Sequence, residues 1–233
     1  MCVYFSAQLD VAKLYLFLYN LFQFVGYGFI FFTLMSRLLK NSEEAVLTGM
    51  EAVGTPVMVC QVVAVLEVIH SMAGLVKTGI ISPFMQCAGR NFVLFILILQ
   101  EPRLHSVPAV TYLFLVWSAV EVIRYPYYMI TLVDIKSEFL TWLRYTAWIP
   151  LYPLGILLEG TIIIMSIPLF EQTGWYSFTL PNSANMAFYF PWFLHVYLLF
   201  SAIGGYFLLN HMYDQRKKKL KGNASTNGSK KNR

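Results

Sequence analysis

Six apolar runs, each near the length a helix needs to cross a membrane, govern what this chain can become. They cover residues 14–36, 53–73, 84–100, 107–130, 141–166 and 188–211. A bilayer core takes about 20 apolar residues of helix. In lipid a backbone has to satisfy its own hydrogen bonds, which a helix does. The reading is an all-α polytopic membrane protein with six transmembrane helices in one bundle. The charged fraction agrees: 12% of residues, against about 25% in soluble domains. No repeat of 20 to 50 residues is visible, which argues against a solenoid. The first run is too long for a cleavable leader and lacks a small-residue cleavage pattern, so it reads as a retained anchor.

The net charge of +5 is a local feature. Residues 214–233 hold Arg216, Lys217, Lys218, Lys219, Lys221, Lys230, Lys231 and Arg233 against the single acid Asp214, so the tail carries +7 and the remainder −2. A basic tail beside lipid headgroups is the natural reading, and a nucleic-acid surface is not. Three segments follow: a cytosolic N-terminus (1–13), a transmembrane domain (14–213) and a basic cytosolic tail (214–233). The Lys/Arg bias puts both termini in the cytosol, with loops near Lys77 and Lys136 on the same side. Loops at 37–51, 101–106 and 168–187 then face the lumen. The last of these carries the turn signals Thr173-Gly174 and Pro181-Asn182. Two sequons, at Asn223 and Asn227, fall in the tail and are expected to stay unmodified. The chain ends Lys230-Lys231-Asn232-Arg233, similar to a dilysine signal for retrieval to the endoplasmic reticulum.

Cys2, Cys60 and Cys87 are odd in number and form no CxxC, so neither a disulfide framework nor a zinc site is indicated. None has an arginine six positions later, so a Cys-x5-Arg phosphatase loop is absent.

The informative residues are ionisable groups inside the spans, because lipid cannot satisfy them. Span two holds Glu67 and His70, span three Gln86 and Arg90. Span four holds Glu121, Arg124 and Tyr125, and span six His195. The bland reading pairs Glu67 with Arg90 and Glu121 with Arg124, the latter three residues apart on one helix face. His70 and His195 lack partners at metal spacing and read as satisfied interior histidines. Arg144 and Tyr145 sit near the cytosolic mouth of span five, as interface anchors or contacts for an anionic group.

Tyr152 and Glu159 differ from these. Seven residues bring a phenol and a carboxyl to nearly the same helix face, about 10 Å apart along a straight axis. No basic residue lies within two turns of Glu159 on its own helix. Such a pair is suited to general acid/base work. Pro150, Pro153 and Gly155 surround it, and Pro153 cannot donate to the Ile149 carbonyl, so a kink or opening is expected there.

At these residues the chain resembles the membrane-bound 3-hydroxyacyl-CoA dehydratases of very-long-chain fatty-acid elongation, also called protein tyrosine phosphatase-like proteins. The stretches that carry the resemblance are LEVIHSMAGLV (66–76), QCAGR (86–90), WSAVEVIRYPYYM (117–129) and LRYTAWIPLYPLGILLEG (143–160). It runs from about Tyr15 to the tail. The resemblance implies a catalytic Tyr152 and Glu159 in a YPxGxxxE stretch, with Gly155 as its glycine. It implies weaker supporting or substrate-contacting roles for Glu67, Gln86, Arg90, Arg124 and Tyr125; Glu121 joins them by its position. Gly89 departs from the serine that members often carry there.

The implied reaction is loss of water from a long-chain (3R)-3-hydroxyacyl-CoA to give the trans-2-enoyl-CoA. Glu159 takes the C2 proton and Tyr152 protonates the leaving hydroxyl, or the two roles are reversed. No metal or redox cofactor is expected, CoA being part of the substrate. The CoA head would sit at the cytosolic mouth near Lys77, Lys136 or Arg144. Membrane lipid, elongases and the reductases of the cycle are the expected partners, and the endoplasmic reticulum membrane the expected location. Two alternatives stay open: a catalytically silent adaptor for elongase subunits, and a small transporter using Glu159, Glu67 and Arg90.

Overall fold

A computed structural model describes residues 2–76, 79–179 and 187–231, with side chains for 11–76, 79–179, 187–210 and 212–217. Lys77, the Pro181-Asn182 signal, and the side chains of the tail from Lys218, with its sequons and KKNR end, lie outside these described sets. The described residues are almost wholly helical: α1 (Cys2–Lys40), α2 (Ser42–Leu47), α3 (Gly49–Met72), α4 (Ile81–Asn91), α5 (Pro108–Leu132), α6 (Glu138–Thr146), α7 (Trp148–Thr173) and α8 (Phe190–Lys231). A π-helical stretch, Phe92–Ile98, continues α4, and a 3-10 turn, Pro102–Leu104, follows it.

Local signals explain the boundaries. The Asn41 side chain accepts from the Glu44 N–H and starts α2. Ser137 does the same for α6 through the Leu140 N–H. Pro108 opens α5, where its missing N–H costs nothing. Gly174 ends α7 in the left-handed region at φ 66°, a conformation that a Cβ disfavours.

α1 shows what kind of solvent the bundle is built for. Leu14, Leu18, Leu21, Phe22, Val25, Phe29 and Phe32 form an exposed stripe, while Tyr19, Asn20, Gln23 and Tyr27 are buried with Leu16, Ile30 and Leu34. The apolar face points out and the polar side chains point in, the reverse of a water-soluble helix. Among the described residues, five segments are long and apolar enough to cross a membrane: Val11–Lys40, Gly49–Met72, Ile81–Ile98, Glu138–Thr173 and Phe190–Lys217. The protein is thus a polytopic helical membrane protein.

α5, the fourth expected span, is long enough but is not one of these five. Its interior carries Glu121, Arg124 and several tyrosines, which lower its hydropathy. The packing supplies the reason. α5 lies against α1, α7, α6, α2 and α3. It buries residues around most of its circumference, including Thr111, Phe114, Trp117, Ser118, Glu121, Arg124 and Tyr125. A helix whose neighbours are other helices does not have to satisfy lipid.

Two further expectations change. The loop expected at 37–51 contains α2, and α1 runs to Lys40. The single helix expected over 141–166 is two helices meeting at Ala147, and α7 continues through Pro153. The opening therefore precedes the proline expected to cause it. Pro150 has no N–H for the Thr146 carbonyl, and the Leu151 N–H reaches the Ala147 carbonyl only at 3.4 Å.

Candidate functional site

The polar residues of four helices, α1, α3, α4 and α5, meet in one buried network. Glu67 of α3 accepts from Arg124 Nη2 and from the Tyr125 hydroxyl, both at 2.7 Å. Tyr19 of α1 donates to the same oxygen at 3.4 Å, and Gln23 donates to Tyr19 at 3.3 Å. Arg124 also donates to Gln86 Oε1 of α4 at 3.1 Å and pairs with Glu121 Oε2 at 2.6 Å. Glu121, fully buried, binds the Arg90 guanidinium through its other oxygen. Two acids and two arginines thus balance in formal charge, as burial in a low-dielectric interior requires.

This geometry corrects one expected pair. Arg90 pairs with Glu121, and Glu67 pairs with Arg124. The α5 pair Glu121–Arg124 forms as its spacing predicts, and each member also reaches across to another helix. Sequence spacing reveals neighbours on one helix, but not which face of α3 or α4 turns toward α5.

Tyr152 and Glu159 sit on α7, outside this ion cluster and next to it. Trp117 of α5 donates its Nε1–H to Glu159 Oε1 at 3.0 Å. The Arg90 guanidinium stacks over the Trp117 ring, 5.3 Å from its centroid. Arg90 lies within electrostatic reach of both Glu159 and Tyr152. The absence of a basic neighbour on α7 therefore does not leave Glu159 isolated, because α4 supplies one. Gly155 lies between the pair and is buried; a Cβ there would meet Val116 of α5 at 3.6 Å. A Cβ would fit there in ordinary contact, so the helix spacing does not by itself require glycine.

The α6–α7 junction shapes the approach to Tyr152. A narrow cleft there is lined by Val120 and Ile123 of α5, Arg144 of α6, and Ala147, Trp148, Leu151 and Tyr152. Its free volume is about 10 Å³, room for about one water. Arg144 faces Tyr128 and Tyr152 electrostatically, and Tyr145 packs edge-on against Tyr127 with ring centroids 6.1 Å apart.

The histidines are bonded away from this site. His70 Nε2 meets the Tyr15 hydroxyl at 2.8 Å, and His195 Nδ1 meets the Pro191 carbonyl at 2.8 Å. Cys60 and Cys87 are free thiols, Cys60 buried and Cys87 partly so.

Several residues of the network escaped the sequence reading. Trp117 lies inside a quoted stretch but has no ionisable group to single it out. Tyr19, Gln23 and Tyr27 recur every fourth residue on α1 and form its polar stripe, a readable signal. Tyr197 of α8 stands within electrostatic reach of Glu159. Its hydroxyl lies 3.6 Å from where a Gly89 Cβ would be.

Comparison with known proteins adds the following. The family model described as "Protein tyrosine phosphatase-like protein, PTPLA" matches residues 61–222. The chain is 38% identical over 213 residues to a very-long-chain (3R)-3-hydroxyacyl-CoA dehydratase of Danio rerio, covering 91% of this chain and 59% of the relative. It is 40% identical over 210 residues to very-long-chain (3R)-3-hydroxyacyl-CoA dehydratase 3 of Homo sapiens, covering 90% and 58%. With very-long-chain (3R)-3-hydroxyacyl-CoA dehydratase 4 of Homo sapiens it shares 34% over 203 residues, covering 87% of each chain. The chain thus spans somewhat under three fifths of the first of these relatives and nearly nine tenths of the last. No solved structure matches.

Proposed function

Because the chain belongs to the protein tyrosine phosphatase-like (PTPLA) family, we propose that it is a hydro-lyase acting on long-chain (3R)-3-hydroxyacyl-CoA. The product is the trans-2-enoyl-CoA, and the reaction is the dehydration step of very-long-chain fatty-acid elongation. The observation that carries this reading is the setting of Glu159: Trp117 donates to it at 3.0 Å, and the Arg90 guanidinium, held by buried Glu121, stacks on that ring within electrostatic reach of Glu159 and Tyr152. Two proton-transfer groups on one helix face thus share a fixed positive charge.

In the proposed reaction Glu159 takes the C2 proton beside the thioester. The released electron pair forms the C2–C3 double bond. The C3–O bond breaks, and Tyr152 gives its phenolic proton to the departing oxygen, which leaves as water. Glu159 suits the base role because its partner Trp117 can only donate, so Oε1 serves as an acceptor. Tyr152 suits the acid role because Arg90 and Arg144 lie within electrostatic reach of it and favour the phenolate left behind. No metal or redox cofactor takes part in this scheme.

The same reading makes α5 a sixth crossing, shielded from lipid by its neighbours, with both termini cytosolic in the endoplasmic reticulum membrane. The CoA head lies near Arg144 and Lys136, and the acyl chain runs inward among the helices past Glu159. Elongases and the reductases of the cycle are the proposed partners.

The test is enoyl-CoA formation by purified protein in detergent, with Tyr152→Phe and Glu159→Gln alongside and melting curves for each. Loss of at least about 100-fold in both folded variants supports the pair, general acid/base groups being worth about 10²–10⁴-fold. A folded, inactive wild type favours the adaptor reading. Full activity in either variant removes that residue from the chemistry.

A further inference from the structure

Trp117 is 2% exposed, and its indole N–H has one partner among the described residues, the Glu159 carboxylate oxygen Oε1 at 3.0 Å. An indole N–H can only donate, and a buried one needs an acceptor. Glu159 needs the reverse, because α7 supplies no donor to its carboxyl. The second carboxyl oxygen, Oε2, has no protein hydrogen bond among the described residues, so it is left for a substrate. The indole is packed by two neighbours. Arg90 stacks on one part of it at 5.3 Å, anchored by the fully buried Glu121. Phe114 packs against it with ring centroids 6.2 Å apart. Val116, next to Trp117 in sequence, lies across from Gly155 of α7, where an added Cβ would come to 3.6 Å.

We infer that Trp117 is a positioning residue: it holds Glu159 by one oxygen and aims the other at the substrate's C2 proton, transmitting to α7 the rigidity of the Glu121–Arg90 pair. The inference rests on the reading of Glu159 as the base. It predicts a particular kinetic division. On this inference Trp117 acts through Glu159 and not on the substrate, so its loss is expected to lower the chemical step and leave binding unchanged. A hydrogen bond to a charged group is worth about 10- to 100-fold in rate when it serves only the transition state.

Trp117→Phe keeps an aromatic ring beneath Arg90 and removes the donor together with part of the ring system. The expected result is a folded protein with a kcat about 10- to 100-fold below wild type, KM within about twofold, and a melting temperature lowered by the lost ring volume. A second measurement needs no turnover. In ¹⁵N-labelled protein the Trp117 indole N–H cross-peak, assigned by its absence from Trp117→Phe, is expected to move when Glu159→Gln removes the charged acceptor. Wild-type kcat in Trp117→Phe overturns the inference, and so does an unmoved cross-peak. A raised KM at constant kcat also overturns it, because that pattern belongs to binding. Should Trp117→Phe fail to fold, the cross-peak in Glu159→Gln decides alone. A wild type without dehydratase activity sinks the proposed function instead, and the cross-peak still tests the bond.

Discussion

α5 and the first half of α8, residues 190–210, are both long apolar stretches of helix, yet they occupy opposite positions in the bundle. α5 lies against five other helices and buries Glu121, Arg124 and Tyr125. α8 packs chiefly on α7 and leaves Leu199, Phe200, Ile203, Tyr206 and Phe207 exposed. In water the more apolar stretch would sit at the centre. Here the helix with charges at its middle does, and the stretch 190–210 of α8, which holds no Asp, Glu, Lys or Arg, faces outward. The difference teaches that polar interactions organise the interior of this bundle, because apolar side chains gain nothing by leaving lipid for protein.

The most damaging way to test that contrast is to unbalance the centre. Glu121→Ala leaves Arg90 and Arg124 short of a buried counter-charge. A loss of about 3–5 kcal/mol is expected, read as a collapsed melting transition in detergent together with lost activity. A wild-type melting curve would mean that the arginines find water or other partners, and α5 would lose its special status.

Close helix contact comes next. Gly26 of α1 faces Cys60 of α3 so closely that a Cβ would lie 2.5 Å from the sulfur. Gly26→Val is expected to cost about 1–3 kcal/mol by overpacking. Gly28, two residues away, has open space around it, and Gly28→Val is the control that should melt near wild type.

A smaller, pH-dependent effect belongs to the turn before α5. There Arg103 donates to both carboxyl oxygens of Glu101 at 2.7 Å, and also to Gln172 Oε1 and the Leu169 carbonyl of α7. The hydrogen bonds from Arg103 hold the Glu101 carboxyl below its ordinary value. A carboxyl lowered on folding stabilises the fold above its unfolded pKa, about 4.5, and loses that contribution as pH falls through the folded value. The melting difference between wild type and Glu101→Gln should be largest near neutrality and shrink below about pH 4.5. A difference independent of pH would assign the effect to packing.

Two substitutions should change least. Gly89→Ser introduces a Cβ only into ordinary contact with the Tyr197 hydroxyl, so activity within about twofold of wild type is expected under the usual tolerance of uncrowded sites. Phe200→Leu on the outer face of α8 should melt within about 0.5 kcal/mol of wild type. A large loss there would mean that α8 has a protein partner on that face, and the comparison with α5 would have to be redrawn.

Much of this was readable beforehand. The apolar runs located every major helix, because a membrane core leaves a segment little choice but to satisfy its backbone locally. The 152–159 spacing put Tyr152 and Glu159 on one helix for the same reason, helix geometry being a local property. Arg90's partner was not readable. Glu67 and Glu121 are both acids within membrane depth, and choosing between them requires knowing how α3 and α4 rotate about their own axes. The break at Ala147 was misplaced because the chain contains two prolines near it, and the structure opens the helix before the first.

The sequence by itself therefore determined the helices, their lipid-compatible lengths and the placement of Tyr152 and Glu159 on one face. Those follow from hydrophobicity and from 3.6 residues per turn. Only the tertiary structure decided that Glu67 binds Arg124, that Glu121 binds Arg90, and that Trp117 reaches Glu159. These contacts join residues 31 to 57 positions apart. They depend on helix rotation and spacing, which side chains from several helices set together.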